Sequence, residues 1–323
     1  MFDQNPLIIA HRGASGYLPE HTLEAKALAY GLGAHYLEQD VVATRDDRLV
    51  VLHDIHLDRV TDVAARFPTR HRQDRRYYAR DFDLAELQTL TIHERRTADG
   101  TNAVYPGRFP TATGHFRIPT LSDEIEMILG LNASTGRTVG LYPEIKRPAW
   151  HREEGVDVGA LLLAALDEYG FSRRADPVYV QCFDPAELRR IRGDLGSDLR
   201  LIQLIGENAW SESDADYEWL RSAEGLAQLS EIVDGIGPWL NHLYTLAEID
   251  GQPVSSGLVS AAHAAHLEVH AYTFRADEIP VGFAAFGELV QWFVTALCID
   301  GLFTDFPDRV RLALEAGRAG LTE

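Results

Sequence analysis

At 323 residues, with 46% hydrophobic and 24% charged side chains, the chain has the composition of a folded globular protein, long enough for one large domain or two ordinary ones. Its formal net charge of −19 argues against a general nucleic-acid or anionic-membrane surface, since both require clustered Lys and Arg to neutralise phosphate. Two cysteines, Cys182 and Cys298, are too few for a disulfide framework and lack metal-ligand spacing, so both are expected to be buried apolar positions.

In chain order, Leu7–Ala10 is an apolar run that ends abruptly in His11-Arg12-Gly13, as a strand delivering chemistry at its tip would. A strand starting near Leu7 leaves no room for an export leader, which puts the chain as written in the cytoplasm, or in the periplasm if it is a trimmed mature form. Gly13-Ala14-Ser15-Gly16 lacks the Gly-Lys-Ser/Thr ending of a phosphate loop and reads as a tight turn. Leu23, Ala27 and Tyr30 at helical spacing, closed by Gly31 and Gly33, predict a helix before the strand-like Tyr36–Val42. Strand, helix, strand is the unit of a parallel sheet. The polar turn 44–48 is too short for a parallel crossover, so Leu49–Leu52 must run back antiparallel and carry His53 towards Glu38 and Asp40.

From residue 55 to 117 the pattern breaks, with seven arginines between Arg59 and Arg80. This stretch reads as an insertion, its arginines forming either a solvated surface or a lid that attracts an anion. Alternation resumes with a helix from Leu121 and apolar runs at Val139–Ile145, Val178–Phe183, Leu199–Ile205, Val233–Gly237, Leu267–Phe274 and Ile299–Phe303. Helical patterns separate most of them, including Val158–Tyr169, Pro185–Ile191 and Val259–His266. The count suits a (β/α)8 TIM barrel made of 1–54 and 118–323, with 55–117 inserted after the second barrel strand and its return strand. A doubly wound open sheet is the alternative, and no Gly-rich dinucleotide fingerprint supports it. No run of about 18 apolar residues occurs, so stable membrane insertion is not expected.

Residues two apart on a strand share a face, so Glu38 with Asp40, and Glu144 with Lys146, point the same way. Three carboxylates converging at a barrel mouth repel one another unless a cation binds or one takes up a proton. All-oxygen ligation favours Ca2+ or Mg2+ over zinc; taken singly, each acid could equally be salt-bridged at a strand end. His11 and His53, each following an apolar strand beside a charged residue, are candidates for proton transfer near neutral pH. Asp54 either orients His53 or caps the next turn. His263 and His266, spaced i and i+3, read as solvated. Arg12 and Lys146 either meet an anion or pair with the nearby acids. Lysine occurs only at 26 and 146, which suggests that a compact ammonium is needed in Glu144-Ile145-Lys146. Metal, imidazoles and cations around an anion suit phosphoryl transfer. The strand-end aromatics Phe183, Trp239, Tyr272 and Phe274 are either pocket wall or core.

Taken in order, His11-Arg12, Glu38-Gln39-Asp40 and His53-Asp54 resemble the signature of the glycerophosphodiester phosphodiesterase family. The likeness continues through Tyr142-Pro143-Glu144-Ile145-Lys146 and Gln181-Cys182-Phe183 to Gly301-Leu302-Phe303-Thr304-Asp305-Phe306-Pro307. With its long insertion the chain is most similar to the larger, periplasmic type of bacterial enzyme, and the resemblance makes 55–117 the family's small capping region beside the glycerol site. The resemblance implies a TIM barrel, a divalent metal (Ca2+ before Mg2+), and a small-molecule glycerophosphodiester substrate hydrolysed to sn-glycerol 3-phosphate and an alcohol. Carried over by position, His11 is the catalytic base and His53 the acid. Glu38, Asp40 and Glu144 match the metal ligands, and Arg12 and Lys146 the phosphate contacts. Gln181, Phe183 and Tyr272 are the substrate-pocket candidates. His21 departs from the family, standing where many relatives have Asn. Two other readings stay open: a lysophospholipase D or phospholipase C-like enzyme, which would need an apolar docking surface, and a non-catalytic barrel binding protein.

Overall fold

The computed structural model describes residues 6–319. Its strands are β1 Leu7–Ala10, β2 Tyr36–Ala43, β3 Leu49–Val51, β4 Gly140–Ile145, β5 Tyr179–Cys182, β6 Arg200–Ile205, β7 Gly235–Pro238, β8 Tyr244–Leu246, β9 Pro253–Ser255, β10 Glu268–Phe274 and β11 Gly301–Thr304. Eight of them pair in parallel in the order β1-β2-β4-β5-β6-β7-β10-β11 and return to β1, so the sheet closes into a TIM barrel with helices outside. β3 lies antiparallel on β2, with Val41 opposite Val51, and the Leu52 amide donates to the Asp40 carbonyl at 2.9 Å. The hairpin β8–β9 is an addition to the expected elements. Its strands are three residues each and carry no clear alternation.

Side-chain parity explains where the site forms. On β1, Ile9 points into the barrel with Tyr142, Tyr179, Ile202 and Phe303, while Ile8 and Ala10 pack outward against the helices. The period of two then carries His11 onto the inner face above Ile9, Glu144 above Tyr142, and Gln181 above Tyr179. Glu38 and Asp40 share that face on β2, and Val42 follows them upward into a second apolar cluster. That cluster is built largely by the insertion: Leu57, Phe82, Leu87, Leu90, Ile92 and Phe116 pack against Val42 and Val50. Residues 55–117 thus possess their own core, seated on the return hairpin.

The turn after β1 brings the chain back tightly. The Gly13 amide donates to the Ala10 carbonyl at 3.1 Å with φ +89°, and a Cβ there would lie 2.8 Å from the Ala25 carbonyl carbon. Behind β2, Lys26 Nζ donates to Glu124 at 2.6 Å, both side chains fully buried. Lys26→Met strands the Glu124 carboxyl without its cation and is expected to cost about 3–5 kcal/mol in chemical denaturation. Adding Glu124→Leu should recover most of that loss, because an apolar pair needs no desolvation. Burial outweighs the pull of Lys26 and raises the Glu124 pKa to about 7. The folded state therefore holds this proton more tightly than the unfolded chain. The associated stability is full below about pH 4.5 and is lost as pH rises through about 7. The wild type should lose Tm relative to the double variant over that window.

Two local expectations are corrected. Cys298 is exposed rather than buried, at a left-handed position with φ +60°, whereas Cys182 is buried. His263 is held by Asp300 at 2.8 Å instead of standing free in solvent, while His266 is exposed. Of the two readings left open for Phe274 the structure takes the core one: it packs between barrel and helices with no exposure.

Candidate active site

A cavity of about 360 Å³ opens at the C-terminal end of the barrel, lined by His11, Arg12, Glu38, His53, Glu144 and Gln181 on one side. Phe183, Trp210, Trp239 and Tyr272 line the other. A second cavity of about 250 Å³ adjoins it, sharing His11, Arg12, His53, Tyr105 and Arg275. Insertion residues Arg59, Glu94, Arg95, Val104, Tyr105 and Arg108 form much of the second wall.

Glu38, Asp40 and Glu144 are buried, and one oxygen from each lies within 4.8 Å of the others. Glu38 accepts from the Arg12 amide at 2.8 Å and from Gln181 Nε2 at 2.9 Å. Arg12 adopts φ +58° to aim that amide, a left-handed conformation that costs a non-glycine residue about 1 kcal/mol or more. Asp40 Oδ2 is bonded by His21 Nε2 at 2.6 Å, while its buried Oδ1 has no protein partner. Glu144 accepts from Lys146 Nζ at 2.6 Å. Burial and the neighbouring Asp40 raise the Glu38 pKa to about 8. Burial raises Glu144 well above the carboxylate range against the pull of Lys146. Asp40 moves the other way: His21 and Lys146 overcome its desolvation and hold it well below the usual range. A buried acidic trio with one unpartnered oxygen and two carboxyls driven to keep their protons fits a hard divalent cation, which would take all three as oxygen ligands.

The two imidazoles are held alike. His11 Nδ1 lies 2.6 Å from Asp305 Oδ1 and His53 Nδ1 lies 2.6 Å from Asp54 Oδ1. Both aspartates are kept well below the carboxylate range, Asp305 by Arg275 and His11 and Asp54 by Arg95 and His53, despite burial. An ionised carboxylate only accepts, so each Nδ1–H donates and each Nε2 lone pair is left facing the cavity. His11 Nε2 stands 3.9 Å from Glu38. Burial first, then Arg12, lowers the His11 pKa to about 4. Burial, Arg12 and Lys146 lower that of His53 to about 3. Both rings are therefore neutral at pH 7 before an anion enters.

These arrangements rest on residues that the sequence did not single out. Asp305 lies within the Gly301–Pro307 motif, where nothing in the local pattern assigns it to a histidine. It also accepts from Arg108 at 2.7 Å and from Arg275 Nε at 2.9 Å. Glu20 bridges Arg12 and Arg95, and Arg95 reaches on to Asp54 at 2.6 Å. Of the arginine run 59–80, Arg59 lines the second cavity. Arg70, Arg72, Arg76 and Arg80 pair with acids elsewhere. The insertion's contacts to the site come mainly from beyond that run, at Arg95, Tyr105 and Arg108. No local pattern marks those residues, because their partners lie far along the chain.

A TIM barrel whose C-terminal mouth gathers three buried carboxylates, two aspartate-held imidazoles and paired cations defines an enzyme scaffold built to receive an oxyanion. The model of the glycerophosphoryl diester phosphodiesterase family matches residues 11–309. The chain belongs to that family of phosphodiesterases. It is 45% identical over 319 residues to the glycerophosphodiester phosphodiesterase of Haemophilus influenzae, covering 94% of this chain and 88% of that one. A solved structure from Silicibacter pomeroyi shares the fold with a TM-score of 0.74 at 23% identity, over 98% of this chain and 95% of that one. An Oleispira antarctica phosphodiesterase solved with its product sn-glycerol-3-phosphate matches with a TM-score of 0.64 at 22% identity, over 96% and 97%. Among the described residues no helix is long and apolar enough to cross a membrane.

Proposed function

We propose that the protein hydrolyses glycerophosphodiesters to sn-glycerol 3-phosphate and an alcohol, with His11 and His53 as the proton-transfer pair. The observation that carries this reading is the convergence of His11, Arg12, Glu38, His53 and Glu144 on one cavity. Arg12 and Lys146 draw in the phosphodiester and set its position. Glu38, Asp40 and Glu144 would hold the divalent cation, Ca2+ before Mg2+, which when bound neutralises charge on the phosphoryl oxygens. His11 Nε2 removes the proton from the attacking oxygen, and Asp305 keeps the ring in the required tautomer. His53, oriented by Asp54, protonates the departing alcohol.

The lowered imidazole pKa values fit this division once the substrate's charge is counted. Burial is the first cause of the low His53 value and the cations Arg12 and Lys146 come next; an incoming anion offsets those cations and so moves His53 towards holding a proton in the complex. The insertion closes the polar side of the cleft through Arg95, Tyr105 and Arg108. The test is release of sn-glycerol 3-phosphate from glycerophosphocholine in a coupled dehydrogenase assay. Turnover at a kcat on the order of 1–10³ s⁻¹ is expected. A purified, folded protein that releases none from any glycerophosphodiester overturns the reading.

A further inference from the structure

Behind each imidazole stands an aspartate, and behind each aspartate stands an arginine of the insertion. Asp54 offers Oδ1 to His53 and accepts from Arg95 Nη1 on Oδ2 at 2.6 Å. Asp305 offers Oδ1 to His11 and accepts from Arg108 Nη2 on Oδ2 at 2.7 Å. The two sets of contacts share one plan, although Asp54 follows the return hairpin and Asp305 follows β11. A carboxylate bonded at one oxygen alone is free to turn. A charged donor on its other oxygen fixes its plane and keeps it an acceptor for the ring's Nδ1–H.

Both guanidiniums are themselves held from behind. Arg95 donates to Glu20 from Nε at 3.0 Å and from Nη2 at 2.6 Å, and Arg108 donates to Asp277 at 2.8 and 3.1 Å. Arg108 also donates to the Ser15 carbonyl at 3.3 Å, and Ser15 bonds the His11 carbonyl through its hydroxyl at 2.7 Å. The side chains of Arg95 and Arg108 are 11% and 5% exposed, so neither is a solvated surface charge. Backbone contacts join them. Arg96 pairs antiparallel with Ala103, the Val104 amide donates to the Arg95 carbonyl at 2.8 Å, and Phe109 packs on Phe116 of the insertion core at 5.2 Å. One short hairpin and the turn after it therefore carry both arginines.

We infer that Arg95 and Arg108 are positioning residues for the two histidines, Arg95 acting on His53 through Asp54 and Arg108 acting on His11 through Asp305. The insertion is then more than a wall of the cleft, because it completes both imidazole–carboxylate pairs. Among the described residues Arg95 is the only arginine or lysine paired with Asp54. Asp305 has a second cation, Arg275, whose Nε donates to the same oxygen at 2.9 Å, so loss of Arg108 should be the milder of the two. The inference rests on the proton-transfer reading above, but it states which arginine serves which histidine and holds whichever ring is the acid.

Arg95→Gln should lower kcat for glycerophosphocholine by about tenfold and Arg108→Gln by about threefold, each with KM changed by less than about twofold. A raised KM with kcat unchanged would make the arginine a substrate contact and overturn its positioning role. Arg95→Gln should cost nothing more once Asp54 is Ala, and Arg108→Gln nothing more once Asp305 is Ala; losses that multiply overturn the proposal. Asp54 is about a quarter exposed, so its cycle stands even if Asp305→Ala does not fold. With a p-nitrophenyl leaving group, which departs without a proton, Arg95→Gln should respond as His53→Ala does and Arg108→Gln as His11→Ala does. The same response in both arginine variants overturns the pairing. Long-range proton–nitrogen NMR reads the rings without turnover. Arg95→Gln should shift the His53 ring nitrogens alone, and Arg108→Gln those of His11 alone. Ring signals unmoved in both variants overturn the proposal even in an active enzyme. Selective shifts in a protein that cleaves no diester would leave the positioning standing and remove the phosphodiesterase reading.

Discussion

His53→Ala should lower turnover of glycerophosphocholine by about 10²–10⁴-fold while leaving the thermal midpoint nearly unchanged. The ring sits at the end of the return hairpin and is about a quarter exposed, and Asp54 is its hydrogen-bonding partner, so the fold does not depend on it. His11→Ala should cost a similar factor in rate but also some stability, since it leaves Asp305 with only Arg108 and Arg275 as partners. A substrate with a p-nitrophenolate leaving group separates the two roles, because that group departs without a proton. The variant that lost the general acid should regain most of its activity on this substrate. The variant that lost the base should not. With His53 as the acid, His53→Ala is the one expected to recover, and recovery by His11→Ala instead would reverse the assignment. Normal turnover in either variant would remove that histidine from proton transfer.

Removal of the divalent cation should be as severe. Chelation by EDTA, or Asp40→Asn, should lower activity by on the order of 10³-fold, the equivalent of about 4 kcal/mol of transition-state stabilisation. Activity alone could not distinguish a lost cation from a distorted site, so a second measurement is needed. Ca2+ at about 100 times its Kd should stabilise the wild type by about 2.7 kcal/mol in a thermal shift, and Asp40→Asn should abolish the shift. The sign of the pH dependence follows from Glu38, whose carboxyl retains its proton up to about pH 8 in the metal-free protein. A cation must displace that proton and the one that Glu144 holds, so affinity should rise with pH up to and through about 8. Calorimetry in buffers of different ionisation enthalpy would count the protons released. Affinity that falls over this range, or full activity in chelator, would exclude a metal role for the trio.

Much of the barrel could be read before the structure because its pattern is local. Apolar runs at β1, β2 and β4 each end in a polar group at the point where the strand leaves the core. The short turn after β2 allowed only an antiparallel return. The same local logic placed Glu38, Asp40, His53 and Glu144 at one end of the sheet. It failed where no local pattern exists. The hairpin β8–β9 is too short to show a period, and Cys298 is turned outward by a left-handed backbone that its residue type does not announce. His263 gained an acid partner from the loop before β11.

The amino-acid sequence by itself determined the order of strands, the inner face of each, and the residue types delivered to the mouth, because a strand's period of two is a property of neighbouring residues. Only the tertiary structure decided what holds those residues in their working states. Asp305 meets His11 across 294 positions of sequence, and Gln181 meets Glu38 across 143. Arg95 meets Glu20 across 75. Such pairs are created by closure of the barrel and the seating of the insertion. The burial that drives Glu38 up and His53 down exists only after that closure, since desolvation is a property of the surroundings and not of the residue. The aromatic wall has the same origin: Phe183, Trp210, Trp239 and Tyr272 become one surface only when β5, β6, β7 and β10 stand side by side.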